Sequence, residues 1–319
     1  SVMAINVLTQ KRRKNAKLLK KKSGIFSGDY DLYLMLIPMM VLLLLFAYKP
    51  LVYMVIAFKD YSPFKGVWES EWVGFQYFSE FFSSPFAWRV IRNTLIISGS
   101  MLLFSFPVPI ILALLLNEIR NERYRKLVQT ISYIPHFISI VVVCSMVTSF
   151  LSPTSGVVNA VLKAFGLDPI YFLSDPKLFV PIYVLVNIWM TMGYNSIVYI
   201  AALSGIPDDL YEAARVDGAN KWQQVLHVTL PGLMPTIMVM LLVQLGNILN
   251  LGYEMIILLY NPGTYETADI INTYVYRSGI LEGRYDYATA VGLLNSVVSF
   301  ILVVAANKFS RKVTETSLW

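Results

Sequence analysis

The sequence predicts an all-α membrane protein with six transmembrane helices. Of its 319 residues 56% are apolar and only 14% charged, whereas soluble domains carry about 25% charged residues. The mean hydropathy is +0.58, and so few charges cannot cover a surface facing water. The apolar residues come in long runs separated by short polar segments. A transmembrane helix needs about 20 such residues, and a barrel would alternate over about ten. One membrane domain over residues 30–310 accounts for most of the chain, with a basic tail at 1–29 and a short end at 311–319.

The tail holds Lys11, Arg12, Arg13, Lys14, Lys17, Lys20, Lys21 and Lys22, so the chain's +6 net charge is concentrated there. Placed just before an apolar run, it reads as an anchor against anionic lipid, not as a nucleic-acid arm. The run that follows is too long for a signal-peptide core, and no small-residue cleavage site stands out. Six spans follow, at 30–58 (interrupted by Lys49-Pro50), 92–117, 127–150, 180–203, 231–259 and 287–307. Basic residues at Arg120, Arg123, Arg125, Lys126, Arg215, Lys221, Lys308, Arg311 and Lys312 fall on the same side as the tail. That richer side is predicted to be cytoplasmic, with both termini there. Opposite it, aromatics from Trp68 to Trp88 crowd the loop before the second span, and 151–180 predicts a short amphipathic helix around Asn159 and Leu162. Pro107, Pro109, Gly246 and Gly252 mark places where a membrane helix can bend or unwind.

Between the fourth and fifth spans lies a polar segment, Glu212 to Pro231. Leu210 to Val216 is rich in helix formers, with Asp208 as the expected N-cap. Gly218 stands where a helix needs a left-handed closing residue. Asn220 with Gln223 three residues on forms a capping box for a second helix, and Pro231 is expected to break the chain before the next apolar run. The result is a rigid helix–Gly–helix elbow spanning about 204–230.

Polar residues are costly in a membrane and tend to face a bundle interior or an aqueous cavity. The fifth span carries Gln244, Asn247, Asn250, Tyr253 and Glu254. At 100° per residue its amides and Glu254 fall within an arc of about 120°, one helix face. The fourth span offers Asn187, Trp189, Thr191, Tyr194, Asn195 and Tyr199, of which Asn187, Thr191, Tyr194 and Asn195 share a face; the sixth adds Asn295. Amides, hydroxyls and aromatic rings suit a sugar, whose hydroxyls hydrogen-bond and whose C–H faces stack. Their other use is as glue between helices, about 0.6 kcal/mol each. For Glu254 three uses stay open: repelling an anion, pairing with Arg277 or Arg284, or sitting in interfacial water.

Several chemistries are missing. No G-x-x-x-x-G-K-[ST] phosphate loop occurs, so any ATP must be bound by another subunit. His136 and His227 lack ligand partners at metal spacing, and no G-x-S-x-G elbow exists. The single Cys144 excludes an internal disulfide. The chain is expected to be no enzyme and to hold no metal or cofactor.

Glu212, Ala213, Ala214, Asp217, Gly218 and Ala219, with Val228, Leu230 and Pro231, resemble the EAA loop of integral-membrane subunits of bacterial binding-protein-dependent ABC importers. Val228 stands where that family usually has Ile, a conservative departure. Asn117-Glu118, Tyr133 to Phe137, Tyr194-Asn195-Ser196, and Ala201 to Pro207 are similar to the polysaccharide-type branch of carbohydrate permeases, and the stretch from Gly74 to Arg92-Asn93-Thr94-Leu95 resembles the segment preceding the second span in sugar-importing members of the family. The resemblance covers nearly the whole chain. It implies a type I importer in the bacterial cytoplasmic (inner) membrane. A second homologous permease, generally a different chain, completes the pore. Two cytoplasmic ATPase subunits hold ATP and Mg and bind the elbow, where Glu212 meets a basic group. An extracellular or periplasmic binding protein delivers the oligo- or polysaccharide, with acidic alginate or pectin fragments among the candidates. The alternatives are a permease of the same architecture for peptides, polyamines or phosphate, and a stand-alone channel or membrane enzyme.

Overall fold

The computed structural model describes residues 30–314; the basic tail and the last five residues lie outside them. The chain divides into two compact units with the boundary between Val55 and Ile56. The described part of the first unit is helix α1 (30–53), which overlaps the Leu32–Phe58 apolar stretch. Its large side chains, among them Met35, Leu42, Phe46 and Val52, are exposed.

The second unit begins with a two-stranded antiparallel hairpin, β1 (Lys59–Asp60) and β2 (Glu71–Trp72), pairing Lys59 with Trp72. Helices α2 (Gln76–Ser83) and α3 (Ala87–Glu118) follow, then α4 (Glu122–Tyr133) and α5 (Ile140–Phe150). The short α6 (Val157–Ala164) and the long α7 (Pro176–Leu203) lead to the elbow helix α8 (Asp208–Val216). The rest is α9 (Lys221–Gly246), α10 (Tyr253–Leu259), α11 (Ile271–Tyr276) and α12 (Tyr285–Thr314). The stretches Leu32–Phe58, Ala87–Glu118, Pro176–Leu203, Lys221–Gly246 and Tyr285–Lys308 are each long and apolar enough to cross a membrane.

Proline explains a recurrent irregularity. A helical proline lacks an N–H, and its ring collides with the carbonyl four residues back. In α1, α3 and α9 that carbonyl belongs to a wider π turn: Leu44–Tyr48 before Pro50, Met101–Ser105 before Pro107, and Val225–Thr229 before Pro231. The π turn moves the obstructing carbonyl aside, so the helix continues. Pro231 therefore does not break the chain as the sequence suggested. The second elbow helix and the fifth membrane helix are one rod.

Two expected spans are not single helices. The third, 127–150, is bent by 98° between Glu122–Phe137 and Ile140–Phe150. Pro135 sits in a tight 3₁₀ turn, and Ile138 and Ser139 are extended, so no α-helical bond carries across. Gly193 lets α7 approach this bend: a Cβ there would lie 2.0 Å from the Ser132 carbonyl oxygen. The fifth, 231–259, stops at Gly246 and restarts at Tyr253. The common face proposed for Gln244, Asn247, Asn250 and Glu254 therefore does not exist, because the last three lie beyond the helix end. Freed carbonyls inside a membrane must find donors. Ser98 Oγ donates to Ile248 O, and Asn295 Nδ2 donates to Leu249 O at 3.3 Å.

At the end of α3 opposite the elbow, the segment 265–277 is bound by a buried polar cluster. Asp269, 0% exposed, pairs with Arg89 at 3.0 Å and Arg277 at 2.8 Å. Thr273 Oγ1 donates to the same carboxylate at 2.9 Å. Asn93 Nδ2 donates to the Glu266 and Asp269 carbonyls, and Thr94 Oγ1 accepts from Ile271 N at 3.0 Å. Arg92-Asn93-Thr94 thus clamps α11 to α3.

Two stability predictions result. Asp269→Asn leaves two guanidiniums without their counter-ion and should destabilise the protein by about 3–5 kcal/mol; adding Arg277→Met should recover part of it, as read from thermal unfolding in detergent. Ser98→Ala orphans the Ile248 carbonyl and should cost about 1–3 kcal/mol, whereas Ser98→Thr should cost little in the same assay.

Candidate functional site

Between α3, α7 and α9 opens a cleft of about 380 Å³. Helix α7 supplies Asn187, Thr191, Asn195 and Tyr199, one turn apart down a single face. The end of α9 and the unwound stretch beyond it supply Gln244, Asn247 and Asn250. Tyr183, Met101, Pro109 and Met240 complete the lining with ring and aliphatic surface.

Some of these polar groups are already engaged. Asn187 Oδ1 accepts from Ser105 Oγ at 3.1 Å, and Thr191 Oγ1 donates to the Asn187 carbonyl at 2.8 Å. Asn247 Nδ2 donates to Val243 O at 3.3 Å. The side chains of Asn195 and Gln244 make no hydrogen bond among the described residues. Their amides are unspent donors and acceptors on the cleft wall.

The remaining sequence candidates lie elsewhere. Tyr194 stacks on His136, centroids 3.9 Å apart and 5° from parallel, because the 3₁₀ turn of the bent third span occupies that part of the α7 face. Trp189 faces an apolar hollow with Val143, Met146 and Phe150. Asn295 is buried, with its Nδ2 near the Asn250 and Asn272 side-chain oxygens; it supports the break in the fifth span from behind. Tyr253 pairs with Tyr276 at 6.2 Å. Glu254 is exposed, and neither arginine suggested for it is its partner: Arg277 is held by Asp269, and Arg284 by Glu80 at 2.7 Å.

A second crevice, of about 650 Å³, lies beside the Asp269 cluster and is lined by Arg89, Arg277, Arg284, Glu80 and Glu282 among aromatic rings. Burial works against the Arg277 guanidinium, but the Asp269 hydrogen bonds and charge outweigh it and raise its pKa. Tyr260 is pushed up to about 12, by burial first and then by neighbouring Tyr265. Sequence reading missed Ser98 and this cluster. The available signal was Asp269 itself, an acid inside the apolar run Ala268–Ile271 with Arg277 eight residues on.

The elbow is built largely as its residues dictate. Helix α8 ends in a Schellman motif: Ala219 N donates to Ala214 O at 2.9 Å and Gly218 N to Arg215 O at 3.1 Å, with Gly218 at φ +80°. A Cβ at Gly218 would meet nothing within 4 Å, so the dihedral alone requires glycine. The capping box closes, with Gln223 N donating to Asn220 Oδ1 at 2.9 Å and Asn220 N to Gln223 Oε1 at 2.8 Å. One detail differs: Pro207 is the N-cap, and Asp208 lies in the first turn, where its charge meets the helix dipole without a side-chain cap bond. Tyr211 Oη and Thr229 Oγ1, 3.0 Å apart, brace the two helices. Lys221 ties the elbow to Glu118 of α3 at 2.9 Å, placing elbow and α3–α4 turn at one end. Glu212, Ala213, Asp217 and Gly218 are exposed, Ala214 and Ala219 half-buried. Glu212 makes only a 3.9 Å contact to Arg215, and Val216 and Trp222 are exposed beside it.

Comparison with known proteins identifies this architecture. The family described as "Binding-protein-dependent transport system inner membrane component" matches residues 105–315. Protein LplB of Bacillus subtilis (strain 168) is 43% identical over 316 residues, covering 98% of this chain and 99% of that one. The polygalacturonan/rhamnogalacturonan transport system permease protein YteP of the same organism is 41% identical over 316 residues, covering 99% and 97%. In the crystal structure of a bacterial alginate ABC transporter in complex with an alginate pentasaccharide-bound periplasmic protein, a matching chain is 50% identical. Its TM-score is 0.85, covering 91% of this chain and 97% of that one. The chain belongs to the inner-membrane components of binding-protein-dependent transport systems, the multi-pass permease subunits of ABC importers.

Proposed function

We propose that this permease forms one half of the pore of an importer for oligosaccharides, including uronate-bearing fragments of pectin or alginate type. The observation that carries the reading is the cleft between α3, α7 and α9, where the unengaged side-chain amides of Asn195 and Gln244 stand among Asn187, Thr191, Asn247 and Asn250. Its chemistry suits polyhydroxylated rings, and relatives that cover nearly the whole chain are described as polygalacturonan and alginate transporters. A second permease subunit, a different chain of the same family, supplies the other half of the path. A periplasmic or extracellular sugar-binding protein delivers the substrate on the side of the Asp269 cluster.

Energy enters at the elbow, which on the count of basic residues faces the cytoplasm with both termini. Two separate ATPase subunits bind ATP and Mg and grip α8, Gly218 and the start of α9. Exposed Val216 and Trp222 provide apolar contact, and Glu212 a charge for a basic partner. ATP-driven closure of the ATPase pair pushes α8, and the continuous α9 carries that displacement to Gly246 at the cleft. The pore halves rock, the cleft opens towards the binding protein, and hydrolysis reverses the tilt.

Gly218 provides the test. Gly218→Val imposes a β-branched residue on a left-handed dihedral, costing about 1–3 kcal/mol locally. It should abolish stimulation of the ATPase by the loaded binding protein and cut uptake in proteoliposomes, while the subunits still co-purify. Gly218→Asn, which tolerates that dihedral, should keep most of both activities. Equal uptake by wild type and Gly218→Val would remove the elbow from the mechanism.

A further inference from the structure

None of the residues lining the cleft is charged. That is unexpected for a path through which relatives move acidic polysaccharide. The ion pairs of this unit flank the cleft instead, and exposed Glu254, two residues beyond Gly252, is not among the lining residues. Beside the Asp269 cluster, Arg89 and Arg277 share one carboxylate, and Arg284 is taken by Glu80. At the elbow, Lys221 is taken by Glu118. A carboxylate entering a membrane cleft without a counter-charge is strongly disfavoured. Amides and phenols, which donate and accept at neutral charge, match hydroxyls.

We propose that this wall of the path is blind to charge. It holds saccharide units through their hydroxyls, by Asn187, Thr191, Asn195, Gln244, Asn247 and Asn250. The counter-charge for a uronate comes from the companion permease, towards which the carboxylates turn. The inference rests on the saccharide import proposed above, and it adds a division of labour: this chain reads hydroxyls, its companion reads charge.

Paired charge substitutions test it in the complete complex of both permeases, ATPases and cognate binding protein. Proteoliposomes are offered labelled oligogalacturonate and alginate oligosaccharides, and the faster substrate is followed. Gln244→Lys and Gln244→Glu should depress uptake alike, because both place a charge in a neutral cleft and neither meets a carboxylate. The same holds for Asn187→Lys and Asn187→Asp, which serve if the Gln244 pair fails to assemble. If carboxylates touched this wall, opposite charges a few ångströms from them would separate the paired variants by more than about tenfold. A lysine variant outperforming its acidic twin by that factor overturns the proposal, and so does the reverse order. Failure of the unsubstituted complex to take up either saccharide would overturn the acidic-saccharide premise itself, a result distinct from any difference between twins.

Discussion

The structure depends on the continuity of α9 past Pro231. A proline at that position ordinarily kinks or ends a helix. Here the π turn Val225–Thr229 withdraws the His227 carbonyl from the ring, and the rod runs unbroken from Lys221 to Gly246. At 1.5 Å per residue that is roughly 39 Å, enough to join the elbow to the interior of the bundle. Without the π turn the elbow would be a flap on a hinge. With it, a displacement at Gly218 has a stiff path to the cleft. The same device at Pro107 keeps α3 straight enough for Ser98 to support the fifth span at its break while Glu118 holds the elbow.

The far end of that rod shows why a membrane helix can stop where it does. Gly246 leaves the helix easily, but the carbonyls of Ile248 and Leu249 could not be left bare at that depth. Ser98 on α3 and Asn295 on α12 supply the donors. Each is a polar residue within an apolar stretch of its helix, so each looks like a path residue in the sequence, where Asn295 was placed and Ser98 passed over. Polarity in a span therefore has two readings, facing a ligand or facing a neighbour's broken backbone. Only the position of the break separates them.

That ambiguity accounts for what was and was not legible. The elbow could be read almost atom by atom, because capping boxes and Schellman closures are local chemistry: Asn220, Gln223 and Gly218 determine them within a few residues. The polar face of α7 was legible for the same reason, since Asn187, Thr191 and Asn195 lie on an uninterrupted helix. The bend in the third span and the break in the fifth were not. Periodicity assumes a continuous helix, and Pro135 and Gly246 end that assumption through contacts with other helices. Tyr194 shows the consequence: its angular position was right, but the bend brought His136 across it. Asp269 belongs to the same class, since Arg89, nearly two hundred residues away in sequence, completes its charge balance.

Ion pairs lie at the Asp269 cluster and at the elbow, and the cleft between them is neutral. Membrane burial penalises an unpaired charge far more than an amide, so a wall that must be both wet and movable is built most safely from amides. An ion pair across the cleft would have to break and re-form each time the halves rock, losing its partner in a low dielectric. Asn195 and Gln244 lose nothing comparable when their neighbours move, because no protein group depends on them. Neutral lining thus suits motion as much as recognition.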